Sequence, residues 1–303
     1  MQEFISIPTI ESGIYMFGGH LHTVNGGWSF FEQSHQVIEV MVVTSGYQLT
    51  EIQGMDPIKL GPGDAILISP GTKHTNRNAS LNDSMTYMCL HFDFEDVQLR
   101  SQIVRLVANK PINSESTIAQ ISRQMLEEIV HLSSEKKHRN DFEVHVEIEI
   151  SLLRYLKQLS ICMKKMNNWS KQPFSDNEAT IGRNIAMTIE DLVNNDDQDI
   201  SFTFQDVCNQ LHISEGYGYR VFKKVYGMTP LHFIDREKYR KAQRLLKYSG
   251  NTIEIISQIL GAANVSIFSK QFKKWSGITP SAFRKQNQHE RHVSSKNQTG
   301  YFE

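Results

Sequence analysis

Six cations recur at one spacing in the C-terminal third of the chain. Arg220, Lys223 and Lys224 return fifty residues later as Lys270, Lys273 and Lys274. Such groups donate to phosphate oxygens and to the acceptor edges of bases. They sit inside a longer repeat. Phe222-Lys223-Lys224-Val225-Tyr226-Gly227-Met228-Thr229-Pro230 recurs as Phe272-Lys273-Lys274-Trp275-Ser276-Gly277-Ile278-Thr279-Pro280. A repeat constrains architecture before any single residue does.

The elements that must carry these cations follow from the punctuation. Gly227 and Gly277 suit the left-handed position that ends a helix. Thr229-Pro230 and Thr279-Pro280 suit the cap and first turn of the next one. Ser214 and Asn264, also fifty apart, are good N-caps for the helices leading into Phe222 and Phe272. A short helix precedes each cap, Phe204 to Gln210 and Ile253 to Leu260. Two helices joined by a tight turn, the second basic, form a helix-turn-helix. The chain carries two such units, 201–227 and 251–277. A helix from Pro230 to Lys247 joins them through a stripe of Phe233, Ile234, Ala242, Leu245 and Leu246. A helical pair used only for protein contacts is the competing reading.

Residues 181–286 closely resemble the DNA-binding domain of the AraC/XylS family of bacterial transcription regulators, whose closing signature stands here as Gly277-Ile278-Thr279-Pro280-Ser281-Ala282-Phe283-Arg284. The resemblance implies that the second helix of each unit enters a major groove of double-stranded promoter DNA. It assigns base reading to Gly216, Tyr219 and Arg220, then to Val265, Ser266, Ser269 and Lys270. Lys223, Lys224, Lys273 and Lys274 are better placed for phosphates. Arg236, Arg240, Lys241 and Arg244 are expected to thicken the basic surface. Gly218 stands where the family prefers a buried Leu. With Gly216 beside it, the first reading helix is expected to be loose, leaving sequence discrimination to the second unit.

Charge supports a nucleic-acid partner for this part only. Residues 201–288 hold 14 Lys and Arg against 5 Asp and Glu, whereas residues 1–200 hold 16 against 26. The three cysteines, Cys89, Cys162 and Cys208, are scattered, which fits a reducing cytosol and argues against a disulfide framework or a zinc site. With no signal-peptide pattern and no membrane-length apolar run, a cytoplasmic protein is expected.

Residues 1–100 read as short strands punctuated by Gly and Pro, among them Gln36 to Thr44, Ile58 to Leu60, Ala65 to Ser69 and Thr86 to Phe94. The run from Gly61 to His74, with His35, Glu39 and Gly46 upstream, resembles the two motifs of a cupin barrel, the usual sensor domain of metabolite-responsive AraC/XylS members. Metal-binding cupins carry a further His where this chain has Gln33. That leaves His35, Glu39 and His74, either as a three-ligand set or as polar groups for an organic effector. The second is preferred, so no metal and no cofactor are expected. His20, His22 and Trp28 either reach the same cavity or face water. His91 is read as structural.

Residues 101–166 read as helices. Glu143 to Ile150 alternates like a strand, yet Val144, Ile148, Leu152, Tyr155 and Leu159 make an uninterrupted helical stripe, and helix is the reading adopted. In the resembling family such helices pair protomers, so this stripe is either a homodimer face or packs on its own barrel. Residues 167–180 read as a linker and 287–303 as a disordered tail. The expected protein is α+β and multidomain: a cupin-like sensor barrel, helices, and an all-α tandem helix-turn-helix. It would regulate transcription in response to a small-molecule effector, with RNA polymerase as a further partner. The alternative is a cupin metalloenzyme of dioxygenase or isomerase type with an attached DNA module. No nucleophile elbow or Gly-rich phosphate loop favours an enzyme.

Overall fold

The structure, a computed structural model, describes residues 13–134, 141–166, 174–195 and 200–285. The tail read as disordered lies outside these, as does the first half of the linker, residues 167–173. The first domain contains β1 (Ile14–Val24), β2 (Ile38–Ser45), β3 (Gln48–Ile52), β4 (Ile58–Leu60), β5 (Ala65–Ile68), β6 (His74–Asn78) and β7 (Met85–Phe94). They form two antiparallel sheets, ordered β1-β7-β2-β5 and β4-β3-β6. Met41, Val43, Tyr87 and Cys89 of the larger sheet face Ile52, Ile58 and Leu60 of the smaller one. On the alternate positions, Val40, Val42, Leu90 and Phe92 form the outer face. β2 reads as nearly continuous apolar sequence because both its faces are covered.

The outer face is covered by α1 (Val97–Leu106), α2 (Thr117–Ser134) and α3 (Phe142–Lys164). Helix therefore wins over the alternating pattern of residues 143–150. Ile148, Leu152, Tyr155 and Leu159 are buried in this core, with the Tyr155 and Ser122 hydroxyls 3.2 Å apart. The stripe read as either a dimer face or internal packing is thus taken up within its own chain.

The second domain contains α4 (Asp176–Asn194), α5 (Phe204–Gln210), α6 (Glu215–Tyr226), α7 (Pro230–Tyr248), α8 (Ile253–Ile259) and α9 (Val265–Ser276). A reciprocal capping box between Ser175 and Glu178 opens α4 inside the stretch read as linker. The repeat does what its punctuation dictates. Gly227 and Gly277 end α6 and α9 at φ 69° and 77°, and the Thr229 hydroxyl caps α7 with Pro230 in its first turn. Arg236 and Lys241, expected on the basic surface, are instead buried. The Lys241 ammonium donates to the Val193 and Asn195 carbonyls at the end of α4.

The two domains meet along α7. His232, Arg236, Tyr239 and Arg240 recur at helical spacing and all touch the barrel. The His232 ring lies against Gly71, whose φ of 77° and missing Cβ make room for it. β1 bulges between Met16 and Gly18, and Phe17 stacks on Tyr239 with ring centroids 5.9 Å apart. The Arg240 guanidinium covers the Tyr15 ring at 3.8 Å. At the centre, Asp93 near the end of β7 is paired with Arg100 of α1 and Arg236 of α7. Arg236 also meets Glu237 at 2.8 Å. All four charged side chains are at least 96% buried, with Asp93 at 0% exposure.

Removing one member of such a cluster strands the others in a dry interior. Asp93→Ala is expected to cost about 3–5 kcal/mol, read as a lowered urea midpoint of the full chain. A loss below about 1 kcal/mol would show that water reaches the two arginines.

Candidate nucleic-acid interface and barrel pocket

α6 and α9 are equivalent helices with different caps. Asn264 Oδ1 accepts the Ile267 amide at 2.9 Å, whereas Ser214 makes no side-chain cap bond. Each is anchored by its repeated Phe. Phe222 stacks on Tyr226 at 4.4 Å and meets Phe233 edge-on, and Phe272 packs on Tyr239 and Phe268. With those faces buried, Gly216, Arg220, Ser266 and Lys270 are exposed, while Tyr219, Val265 and Ser269 are half-buried. The Tyr219 ring is partly engaged, edge-on to Phe204 at 6.5 Å.

Two glycines in α6 behave oppositely. A Cβ on Gly216 would meet nothing within 4 Å, but one on Gly218 would lie 2.9 Å from Cys208 Sγ and 3.1 Å from Ile213 Cδ1. Cys208 of α5 and Ile213 of the turn occupy the volume a larger side chain would fill. The part of the case for a loose first reading helix that rested on a missing Leu does not hold, because Gly218 is buried and closely packed; Gly216 stands in open space.

The four expected phosphate lysines occupy distinct settings. Lys224 Nζ lies 2.6 Å from Glu178 Oε1 on α4. Lys223 is exposed. Lys273 and Lys274, exposed on α9, line a cleft of about 410 Å³ shared with Phe17, Phe31, His35 and His91 of the barrel. In this arrangement the second unit's lysine pair borders the sensor domain.

Inside the barrel, His35, Glu39 and His74 come together as the motifs imply. Glu39 Oε2 lies 3.0 Å from His74 Nε2 and 3.6 Å from His35 Nε2. The structure adds His91, read from sequence as structural. Its Nε2 is 3.5 Å from Glu39 Oε1, and the two residues are direct partners across β2 and β7. Strand register was the signal that locates it. Burial disfavours the Glu39 carboxylate, but His91, His74 and His35 outweigh burial and hold its pKa well below the usual range. Burial, with His91 next, lowers His35 to about 4. Burial also works against charging His74, yet Glu39 raises it.

Above this cluster lies a pocket of about 390 Å³ lined by Trp28, Phe30, Gln33, Asn76 and Tyr87 among others. Trp28 and Tyr87 are 5.7 Å apart between centroids. His20 and His22, largely exposed on β1, stand at its rim, and the His20 and Cys89 side chains are 3.3 Å apart. Gln48, Thr50 and Asn76 form a buried hydrogen-bonded chain at the far wall, with Thr50 donating to Asn76 at 2.8 Å. The pocket thus offers aromatic faces on one side and fixed polar groups on the other, the pattern of a small-molecule site.

Comparison with known proteins matches both parts. Residues 207–286 match a helix-turn-helix domain family and residues 20–91 a cupin domain family. The raffinose operon transcriptional regulatory protein RafR of Pediococcus pentosaceus is 32% identical over 83 residues, which cover 27% of this chain and 30% of RafR. The HTH-type transcriptional activator RhaR of Cronobacter sakazakii is 24% identical over 260 residues, 85% of this chain and 87% of RhaR. The chain therefore spans under a third of the first of these relatives and most of the second. ToxT from Vibrio cholerae, solved bound to (E)-4-(8-methylnaphthalen-1-yl)but-3-enoic acid, shares the fold at a TM-score of 0.51 and 18% identity, covering 89% of this chain and 98% of ToxT. No helix among the described residues is long and apolar enough to cross a membrane.

The two glycines give a paired test. Gly216→Ala is expected to raise stability by about 0.5–1 kcal/mol, since a helical Gly is replaced in open space. Gly218→Ala is expected to lower the melting temperature, because its Cβ must displace Cys208 or Ile213. Equal effects of the two would contradict the close α5–α6 contact.

Proposed function

We infer that this member of the AraC/XylS family is a sequence-specific DNA-binding transcription regulator that responds to a small molecule held in its barrel. One observation carries the reading. Two capped helices, fifty residues apart in register, bury identical Phe anchors and leave Arg220 and Lys270 exposed at equivalent positions. The N-terminal residues of such helices meet base edges in the major groove. Arg220 would donate bidentately to guanine, and Lys270 by a single ammonium. Gly216, Tyr219, Val265, Ser266 and Ser269 complete the reading surface, and Lys223, Lys224, Lys273 and Lys274 supply phosphate contacts. Lys224 would first leave Glu178, and the lysine pair of α9 would turn from the cleft to the backbone.

The effector, on this reading, occupies the pocket over His35, Glu39 and His74. His91 and Asp93 lie two residues apart on β7, hence on the same side of the strand. A ligand that shifts His91 is therefore felt by Asp93 and, through Arg236, by α7. Binding biases a pre-existing balance between docked and released DNA-binding domains. The chain then works as a homodimer in the cytoplasm, activating transcription where it meets RNA polymerase. Exposed Ile150, Leu153 and Ile161 on the outer side of α3 support the pairing. No catalytic step is assigned to it.

Because Gly218 packs tightly, both units are expected to read sequence. Arg220→Ala and Lys270→Ala should each cost about 1–3 kcal/mol of specific binding and relax one base position, whereas Lys223→Ala should weaken all sequences alike and lower the salt slope by about one. Fluorescence anisotropy on a panel of single-base variants measures both. Unchanged base profiles in the two reading-helix variants would remove α6 and α9 from the interface.

A further inference from the structure

A further cleft, of about 560 Å³, opens between α1 of the first domain and α4, α6 and α7 of the second, and shares no lining residue with the barrel pocket. Arg100, 1% exposed, stands in its floor. A guanidinium carries five N–H groups and accepts nothing. Nη2 donates to Asp93 Oδ1 and to the Phe94 carbonyl. That leaves the single N–H of Nε and the pair on Nη1, and among the described residues both nitrogens are buried without an acceptor. Buried donors in native structures are nearly always satisfied, so those of a buried cation need a cause.

The rest of the cleft narrows what could supply the acceptor. Arg236 and Tyr226 are buried in the same floor. Burial raises Tyr226 to about 12, so its hydroxyl stays a donor, and the charges acting on it are Arg100, Glu190, Arg236 and Arg183, in that order. Phe174, Val225 and Phe233 add apolar surface. Acids also line the cleft. Glu190 is half-buried, its pKa pushed up by burial and then by Glu237. Glu95, Asp96 and Asp176 are exposed at the mouth. Their repulsion grows with the charge of the ligand, which disfavours a dianion such as phosphate more than a single carboxylate.

We propose that this cleft binds a small organic monocarboxylate, whose oxygens accept from Arg100 and the Tyr226 hydroxyl and whose apolar part lies on Phe174 and Val225. Hydrogen bonds from a guanidinium to a carboxylate are charge-assisted and stronger than neutral ones, and the volume is that of a small-molecule site. The ligand would join α1 of the barrel domain to α4 and α6 of the other, and so hold the two domains together. It is a second site, separate from the pocket over Glu39. This inference does not rest on the DNA-binding reading, and its test uses no DNA.

The full chain is titrated with benzoate at constant ionic strength, by calorimetry and thermal melting, with benzamide and inorganic phosphate as comparison probes. Benzoate is expected to saturate and to raise the melting temperature, with benzamide and phosphate each at least about tenfold weaker. Tyr226→Phe keeps the ring and removes the hydroxyl, and Ala179→Trp fills the cleft from α4 while leaving the Asp93 cluster intact. Each should weaken benzoate about tenfold or more, whereas Trp28→Ala in the barrel should leave its affinity unchanged. Absence of saturable benzoate binding at millimolar concentration overturns the site, since water then serves the Arg100 donors. Phosphate or benzamide binding as tightly as benzoate overturns the carboxylate assignment. Wild-type affinity in Ala179→Trp, or its loss in Trp28→Ala, places the probe elsewhere and overturns the cleft.

Discussion

A carboxylate with no exposed surface must find its cations, and Asp93 finds them in two different domains. Arg100 comes from the helix that follows the barrel, and Arg236 from the helix that joins the two DNA-reading units. A buried charge is tolerable only while paired, so breaking any one of these contacts strands the others in a dry interior. α7 is thereby given two tasks. Phe233, Ile234, Ala242 and Leu246 join the helix-turn-helix core, while His232, Arg236, Tyr239 and Arg240 lie on the barrel. α7 therefore connects the barrel to the core that holds both reading helices.

The same strand that ends in this contact also walls the pocket. Along β7, Tyr87, Cys89, His91 and Asp93 alternate with Met88, Leu90, Phe92 and Phe94, which pack under the helices. One face of the strand lines the pocket, the other is locked into a dense core. The cleft that the second unit's Lys273 and Lys274 share with His35 and His91 adds a second, more exposed contact between the domains.

Much of the fold was legible because local rules and tertiary structure agree. Gly227, Gly277 and the Thr-Pro pairs mark helix ends by backbone chemistry alone, and the stripe through Ile148 and Leu159 outweighs a short alternating run. β3 and β6 escaped because they turn Gln48, Thr50, Asn76 and Asn78 inward, which reverses the usual apolar-in pattern. Arg236 and Lys241 look like surface cations in sequence, since their burial depends on partners 143 and 48 residues away. Gly218 was misleading for the same reason. A missing side chain leaves a void only if nothing approaches, and Cys208 and Ile213 do. Within the pocket, His35, Glu39 and His74 followed from motif spacing, but His91 needed the β2–β7 register.

The central claim is that two equivalent helices, held by one bridging helix, address neighbouring turns of a DNA duplex. Selection of bound sequences from random duplex DNA by the full chain at low ionic strength tests it most directly. The selected pool should contain two short half-sites with centres about 10 base pairs apart on one face of the helix. Recovery of sequences no different from the starting pool, at every salt concentration that permits binding, would contradict it.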